Sequence, residues 1–187
     1  MKIVMEHANW HRLQFDFKPL KESDFPLLLN WLNRPHVAKW WDGPRSLSEV
    51  RVKYLPRLAE DSSVRPYIAQ LNGIPVGFIQ SYVAIAQQVS GWWTDETDPG
   101  TVGIDQFVAG AEYLGKGTGT EIVARFVERL FHDPMVTKIQ TDPAPTNSRA
   151  IRCYENAGFR KVGIVDTPDG PALLMVIERR NRSNIRK

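Results

Sequence analysis

Over residues 21–32 apolar positions recur at helical spacing behind Ser23, a candidate cap, and the run stops before Pro35. A second helix is predicted over 46–59, where Ser46 and Glu49 have the spacing of a capping box. A third covers 118–131, with Ile122, Val123, Phe126, Val127 and Leu130 on one stripe. Strand patterns occupy 15–17, 67–71, 75–83 and 102–108, and another begins over 138–141. Asn72-Gly73 predicts a two-residue hairpin turn between the second and third of these. Residues 87–101 are polar and aromatic and read as a loop. A last helix begins near Thr146, and strands over 159–165 and 172–178 flank Pro168-Asp169-Gly170. Strands and helices alternate, so an α/β fold with a sheet of mixed direction is expected. No repeat, low-complexity tract or linker interrupts the chain, and 187 residues suit a single domain over 1–187.

A hydrophobic content of 42% is ordinary for a globular chain. No apolar run approaches the roughly 18 residues of a membrane span, and Met1-Lys2-Ile3-Val4 leads into Glu6 and His7 rather than a signal core. Cys153 stands alone and cannot close an internal disulfide, which favours a reducing compartment. A cytoplasmic protein without membrane partners is expected. The net charge of +3 is concentrated: residues 178–187 hold five cations and one anion, and the rest of the chain carries 19 Lys and Arg against 20 Asp and Glu. That run has no interleaved aromatic residues, so it reads as a mobile, solvated C-terminal tail rather than a nucleic-acid surface. His7, His11, His36 and His132 lack the spacing of metal ligands, and no metal is expected.

Two motifs carry candidate chemistry. Leu114-Gly115-Lys116-Gly117-Thr118-Gly119 leaves a row of backbone N–H groups uncovered just before an amphipathic helix, the arrangement that lets a helix N-terminus hold phosphate. In Asn147-Ser-Arg-Ala150-Ile-Arg-Cys-Tyr154-Glu-Asn-Ala-Gly158-Phe159, Asn147, Ala150 and Tyr154 stand at i, i+3 and i+7 and would share a helix face, which Gly158 ends. Together the motifs resemble the acetyl-CoA site of the GNAT superfamily of N-acetyltransferases, with Leu114 where that family usually has Gln or Arg. The likeness narrows through Trp31-Leu-Asn-Arg34, Trp40-Trp41, Tyr67-Ile-Ala-Gln-Leu-Asn-Gly73, Gly91-Trp92-Trp93, Glu96-Thr-Asp-Pro-Gly100, Gly103-Ile-Asp-Gln106, Thr137-Lys-Ile-Gln-Thr-Asp-Pro143 and Thr167-Pro-Asp-Gly-Pro171. These are similar to the aminoglycoside 6′-N-acetyltransferases, a class of antibiotic-resistance enzymes, and the similarity spans residues 20–177.

The resemblance implies a GNAT fold: a mixed, mostly antiparallel central sheet flanked by helices and splayed at its central strands. It implies acetyl-CoA as cosubstrate, bound by Gln106, Phe107, Val108, Gly115, Lys116, Gly117, Thr118, Gly119, Thr120, Asn147 and Ala150. It also implies an aminoglycoside as partner of a monomer or homodimer, and direct attack in a ternary complex. Asp105 is marked as the residue that binds the reacting amine. With a reference pKa of about 3.9 a carboxylate deprotonates an ammonium only uphill, so Asp105 is expected as an orienter more than as a strong base. A backbone N–H near Phe107 or Val108 would meet the oxyanion, and Tyr154 would protonate the leaving thiolate.

A polycationic aminosugar calls for carboxylates to pair its ammonium groups and flat rings to pack its C–H faces. Trp92, Trp93, Asp95, Glu96 and Asp98 supply both, and the resemblance adds Trp41, Asp142 and Asp169. Ser90 and Ser62 stand where relatives often carry an acid. Two alternatives remain at this level: a GNAT enzyme acting on another amine, such as a polyamine or siderophore precursor, and a non-catalytic module binding acyl-CoA or nucleic acid.

Overall fold

In the computed structural model residues 14–179 are described, and the basic run from 180 onward lies outside the described residues. Seven strands, β1 (Phe15–Pro19), β2 (Val64–Leu71), β3 (Ile74–Val83), β4 (Thr101–Val108), β5 (Lys138–Thr141), β6 (Arg160–Thr167) and β7 (Gly170–Glu178), form one sheet in the order β1-β2-β3-β4-β5-β7-β6. The helices are α1 (Phe25–Leu32), α2 (Pro35–Ala38), α3 (Leu47–Tyr54), α4 (Thr118–Leu130) and α5 (Ser148–Asn156). By internal packing the described residues fall into two units, 14–80 with 106–122 and 81–105 with 123–179.

In the first unit β1 pairs antiparallel with β2 from Phe15↔Leu71 to Pro19↔Tyr67. Asn72 and Gly73 both take positive φ, 50° and 79°, the geometry of the expected hairpin turn. The two early helices are shorter than the periodicity suggested. Residues Glu22–Asp24 form a 3₁₀ turn in which the Lys21 N–H donates to Asp24 Oδ2 at 2.9 Å, so Asp24 rather than Ser23 ties off the first turn. In α3 the Ser46 hydroxyl accepts from Glu49 N at 3.3 Å as expected, while the Glu49 carboxylate accepts from Arg45 N. α3 stops at Tyr54 because Pro56 has no N–H to continue the ladder, and Leu55–Leu58 continue as a 3₁₀ turn. Leu28, Trp31, Leu32, Val50, Tyr54, Ile68, Phe78 and Phe107 share the core of this unit. Phe78 and Phe107 stack at 5.4 Å, and Trp41 packs edge-on against both.

In the second unit β4 and β5 run parallel through only three pairs, Thr101↔Lys138 to Gly103↔Gln140, so β4 continues past the last of them. β7 is antiparallel to β5 on one side and to β6 on the other, with an irregularity in β6 between Lys161 and Gly163. Ile85–Ser90, the start of the expected loop included, form a 3₁₀ helix ended by Gly91 at φ 81°. Arg179, the second residue of the expected tail, is not a solvated cation: its guanidinium donates to the carbonyls of Val136, Phe131 and Asp133 and lies 5.2 Å from the Phe131 ring centre.

Candidate active site

The end of α5 positions Tyr154. Gly158 adopts φ 99°, its N–H bonds to Glu155 O, and the Phe159 N–H reaches back to Tyr154 O at 3.0 Å, the paired bonds of a Schellman motif. That reversal brings the Phe159 ring edge-on to the Tyr154 ring, 5.5 Å between centres. Tyr154 is thereby buried, with its hydroxyl paired to the Thr141 side chain. Burial pushes its phenol well above the ordinary range, Asp105 and Asp142 add to the shift, and Thr141 offsets part of it.

Three carboxylates gather in the same unit. Burial first, then the negative charges of Asp105 and Asp169, push Asp142 up to about 8. Asp105 is half-buried on β4, and Asp169 is exposed at the turn between β6 and β7. Pro168, next to it, reaches within 3.5 Å of where a Cβ on Gly91 would stand. Asp105, Asp142, Asp169 and Tyr154, expected from sequence, are therefore electrostatic neighbours.

The loop acids divide differently. Glu96 is engaged by the protein itself: Lys138 Nζ lies 2.8 Å from Oε2, and the N–H groups of Thr97 and Asp98 donate to Oε1. Burial works to raise its pKa, but these partners outweigh it and hold the carboxyl below its usual value. Asp98 accepts from Thr137 Oγ1 at 2.6 Å and from Gly100 N at 2.8 Å, and the Thr137 bond leads in lowering its pKa. Asp95 is exposed, and Trp92 and Trp93 are half-buried with ring centres 6.0 Å apart. Trp41 belongs to the aromatic packing of the first unit.

Tyr82 and Gln88 were not singled out by the sequence. Tyr82 is buried with its ring over Gly103; burial first, then the charges of Asp105 and Asp142, push its phenol well above the ordinary range. A glycine within a central strand is a signal of such close approach. Gln88 Nε2 donates to the carbonyls of Trp93 at 2.9 Å and Glu96 at 2.7 Å, and so sets the course of the loop.

In the first unit the glycine loop has the form a pyrophosphate requires. Gly115 and Gly117 take positive φ, 71° and 83°, open space surrounds the Gly115 Cα, and α4 begins at Thr118. N–H groups in such a turn converge at the positive end of a 13-residue helix, a fit for the diphosphate of acetyl-CoA. Asn147, in the second unit, is the N-cap of α5, its side chain accepting from Ala150 N at 3.2 Å. At the end of β4, Ala109 N bonds to Val76 O at 2.8 Å. Because backbone groups alternate along a strand, the Val108 N–H points away from β3. The Val108 carbonyl is held by His36 Nε2 at 3.1 Å and the Ala109 carbonyl by Arg34 Nη1 at 2.9 Å.

The model of the acetyltransferase (GNAT) domain matches residues 21–167. The aminoglycoside N(6′)-acetyltransferase type 1 of Klebsiella pneumoniae is 55% identical over 163 residues, covering 86% of this chain and 81% of the relative. The chain belongs to the GNAT acetyltransferases, in the aminoglycoside N(6′)-acetyltransferase family. A kanamycin resistance protein of Rhizobium radiobacter is 65% identical over 88 residues, which cover 47% of this chain and 82% of that one. The crystal structure of the aminoglycoside acetyltransferase AAC(6′)-Ib with coenzyme A and kanamycin superposes with a TM-score of 0.85 at 52% identity, covering 93% of this chain and 100% of that one. The same enzyme with ribostamycin and coenzyme A gives 0.86, over 93% and 98% of the two chains. The mixed, mostly antiparallel seven-stranded sheet is thus the GNAT fold.

Proposed function

We propose that this protein transfers the acetyl group of acetyl-CoA to the 6′-amine of aminoglycoside antibiotics and so confers resistance to them. The observation that carries the reading is the grouping of Asp105, Asp142 and Asp169 with the buried Tyr154 phenol, an acidic receptor for a cation beside a fixed hydrogen donor. The aminoglycoside acetyltransferase relatives, one of them seen with kanamycin, support the choice of acceptor.

Bound at the glycine loop, acetyl-CoA supplies the thioester carbon that the amine attacks. Asp105 holds the substrate ammonium and orients the nitrogen, which sheds one proton to solvent to become the attacking amine and, as the amide forms, a second that the departing thiolate takes up. The Val108 N–H, turned away from β3, is the backbone donor for the thioester oxygen. Tyr154 presents its hydrogen to the departing sulfur. A phenol raised this far is a weaker acid than a thiol of about 8.5, so its contribution is mainly a strong hydrogen bond rather than early proton release. Trp92, Trp93, Asp95, Asp142 and Asp169 face the sugar, Glu96 and Asp98 fix the loop that carries the two indoles, and Trp41 stiffens the aromatic core. A cytoplasmic location follows from the need for acetyl-CoA and agrees with the free thiol of Cys153.

Thiol release from acetyl-CoA with kanamycin, tobramycin, amikacin and gentamicin offered separately, beside spermidine, tests the reading. Release with one or more of the drugs and not with spermidine is expected. Release with spermidine alone would transfer the enzyme to the polyamine acceptors.

A further inference from the structure

The end of β4 is held by side chains as well as by a neighbouring strand, and those side chains come from one short stretch of the first unit. Arg34 and His36 stand two residues apart at the start of α2, with Pro35 between them fixing φ. His36 Nε2 lies 3.1 Å from the Val108 carbonyl oxygen, and Arg34 Nη1 lies 2.9 Å from the Ala109 carbonyl oxygen. A carbonyl only accepts, so the imidazole carries its hydrogen on Nε2 in this contact. Arg34 is itself aligned: Asn30 Oδ1 accepts from Nε at 3.3 Å and from Nη2 at 3.0 Å, which leaves Nη1 for Ala109.

These bonds fall around one peptide group. The peptide joining Phe107 to Val108 has its carbonyl against β3: a Cβ on Gly77 would stand 2.6 Å from the Phe107 oxygen, so the approach requires glycine. C=O and N–H point opposite ways in a trans peptide, which turns the Val108 N–H away from Gly77. The next peptide is tied at both ends, with Val108 O bonded to His36 and Ala109 N to Val76 O at 2.8 Å. The one after it is tied by Arg34 at Ala109 O. With a close backbone contact before Val108 and three hydrogen bonds after it, the direction of its N–H has little room to change. His36 also acts electrostatically. The N–H and C=O of one residue leave the same edge of a strand, so the Val108 carbonyl sets its partial negative charge beside any anion at the Val108 N–H. The imidazole N–H occupies that oxygen and offsets the charge.

We propose that His36 and Arg34 are positioning residues for the acetyl transfer: with Asn30 behind them they keep the Val108 N–H aimed at the thioester oxygen and shield the oxyanion from the neighbouring carbonyl. The inference rests on the acetyl-transfer reading and on its choice of the Val108 N–H as the oxyanion donor. Neither side chain touches substrate in this scheme. Misdirecting a preorganised donor costs less than removing it, but it weakens the transition state more than the ground state. The loss therefore falls on kcat rather than on either KM.

His36→Leu fills much the same space without a donor, and His36→Gln restores an N–H at nearly the same reach. His36→Leu should lower kcat with kanamycin about 10-fold while KM for kanamycin and for acetyl-CoA stay as they are, and His36→Gln should recover most of the loss. Asn30 is exposed, so Asn30→Ala leaves the core intact and should lower kcat about 3-fold through Arg34 alone. A second readout needs no acceptor: the infrared stretch of acetyl-CoA isotope-labelled at its carbonyl carbon, bound to each protein. Wild type and His36→Gln should move it below its frequency in free acetyl-CoA, and His36→Leu should lose part of that shift. Wild-type kcat and an unaltered stretch in His36→Leu, whatever its melting temperature, would overturn the inference; where that variant does not fold, the same result in Asn30→Ala would. Equal losses in His36→Leu and His36→Gln would assign the effect to packing and overturn it too. If the wild type acetylated no aminoglycoside, the functional reading would fall, and the stretch would still decide for or against the clamp.

Discussion

A phenol buried among carboxylates keeps its proton, and Tyr154 is such a phenol, proposed above as the hydrogen donor to the departing sulfur. Replacing it with Phe keeps the Phe159 contact and removes only the donor. Tyr154→Phe should lower kcat roughly 10- to 100-fold with little change in KM for acetyl-CoA, measured by steady-state thiol release. Asp142 gives a pH signature of its own. Its ordinary value is 3.8 and in the fold it rises to about 8, so the folded chain retains a proton that the unfolded chain has released. The stability this carries is fully present below about pH 4, declines as pH rises through the interval, and is gone above about 8. Asp142→Asn, which cannot ionise, should flatten that decline, so that the variant gains melting temperature relative to wild type as the pH is taken from about 5 to about 8. A parallel pH dependence in the two proteins would assign the slope to other groups.

At the scale of the element, the loop between the 3₁₀ helix and β4 behaves as a small built object. Gln88 spans it from one side, Lys138 and Thr137 grip Glu96 and Asp98 from the other, and the indoles are presented between. Gln88→Ala should raise KM for kanamycin by about 10-fold, roughly the 1.4 kcal/mol of one or two lost bonds, and speed amide hydrogen exchange over 93–98. Unchanged exchange there would show that the loop holds its shape without Gln88. What could be read in advance divides along the same line. The Asn72-Gly73 hairpin and the stripe of α4 were legible because each is decided by neighbours in sequence. α3 ran short of its apolar period because the missing N–H of Pro56 outweighs it, and the first helix began late because Asp24, not Ser23, found the free N–H. Within the site, Asp105 and Tyr154 came from motif resemblance. The commitment of Glu96 and Asp98 to the loop did not, since a charge count treats every carboxylate as available. Asp98-Pro-Gly100 carries the signature of an Asx turn and could have warned of it. Tyr82 was hidden for a different reason: an interior glycine signals a close approach, but which ring approaches is decided by the register that sets Tyr82 over Gly103.

For the molecule as a whole, Arg179 shows how a residue from a basic run becomes a structural clamp. Its guanidinium closes the open carbonyls that follow α4, and its own N–H bonds to Thr137 O, so the end of β7 and the end of α4 are secured by one side chain. Arg179→Ala leaves those carbonyls unmatched and should cost about 2 kcal/mol, a fall in melting temperature of about 4–8 °C. Arg179→Lys should recover little, because an ammonium cannot span three acceptors in one plane. A melting curve superimposable on wild type would reduce the clamp to a surface contact. β7 itself lies inside the sheet between β5 and β6 although it follows both along the chain. During synthesis β5 therefore emerges with one flank of its backbone unmatched, and β6 cannot cover it because β6 waits for the same missing strand. Translation paused before Gly170 exposes two naked strand margins at once, a window in which nascent chains can join each other and in which a chaperone has the most to protect.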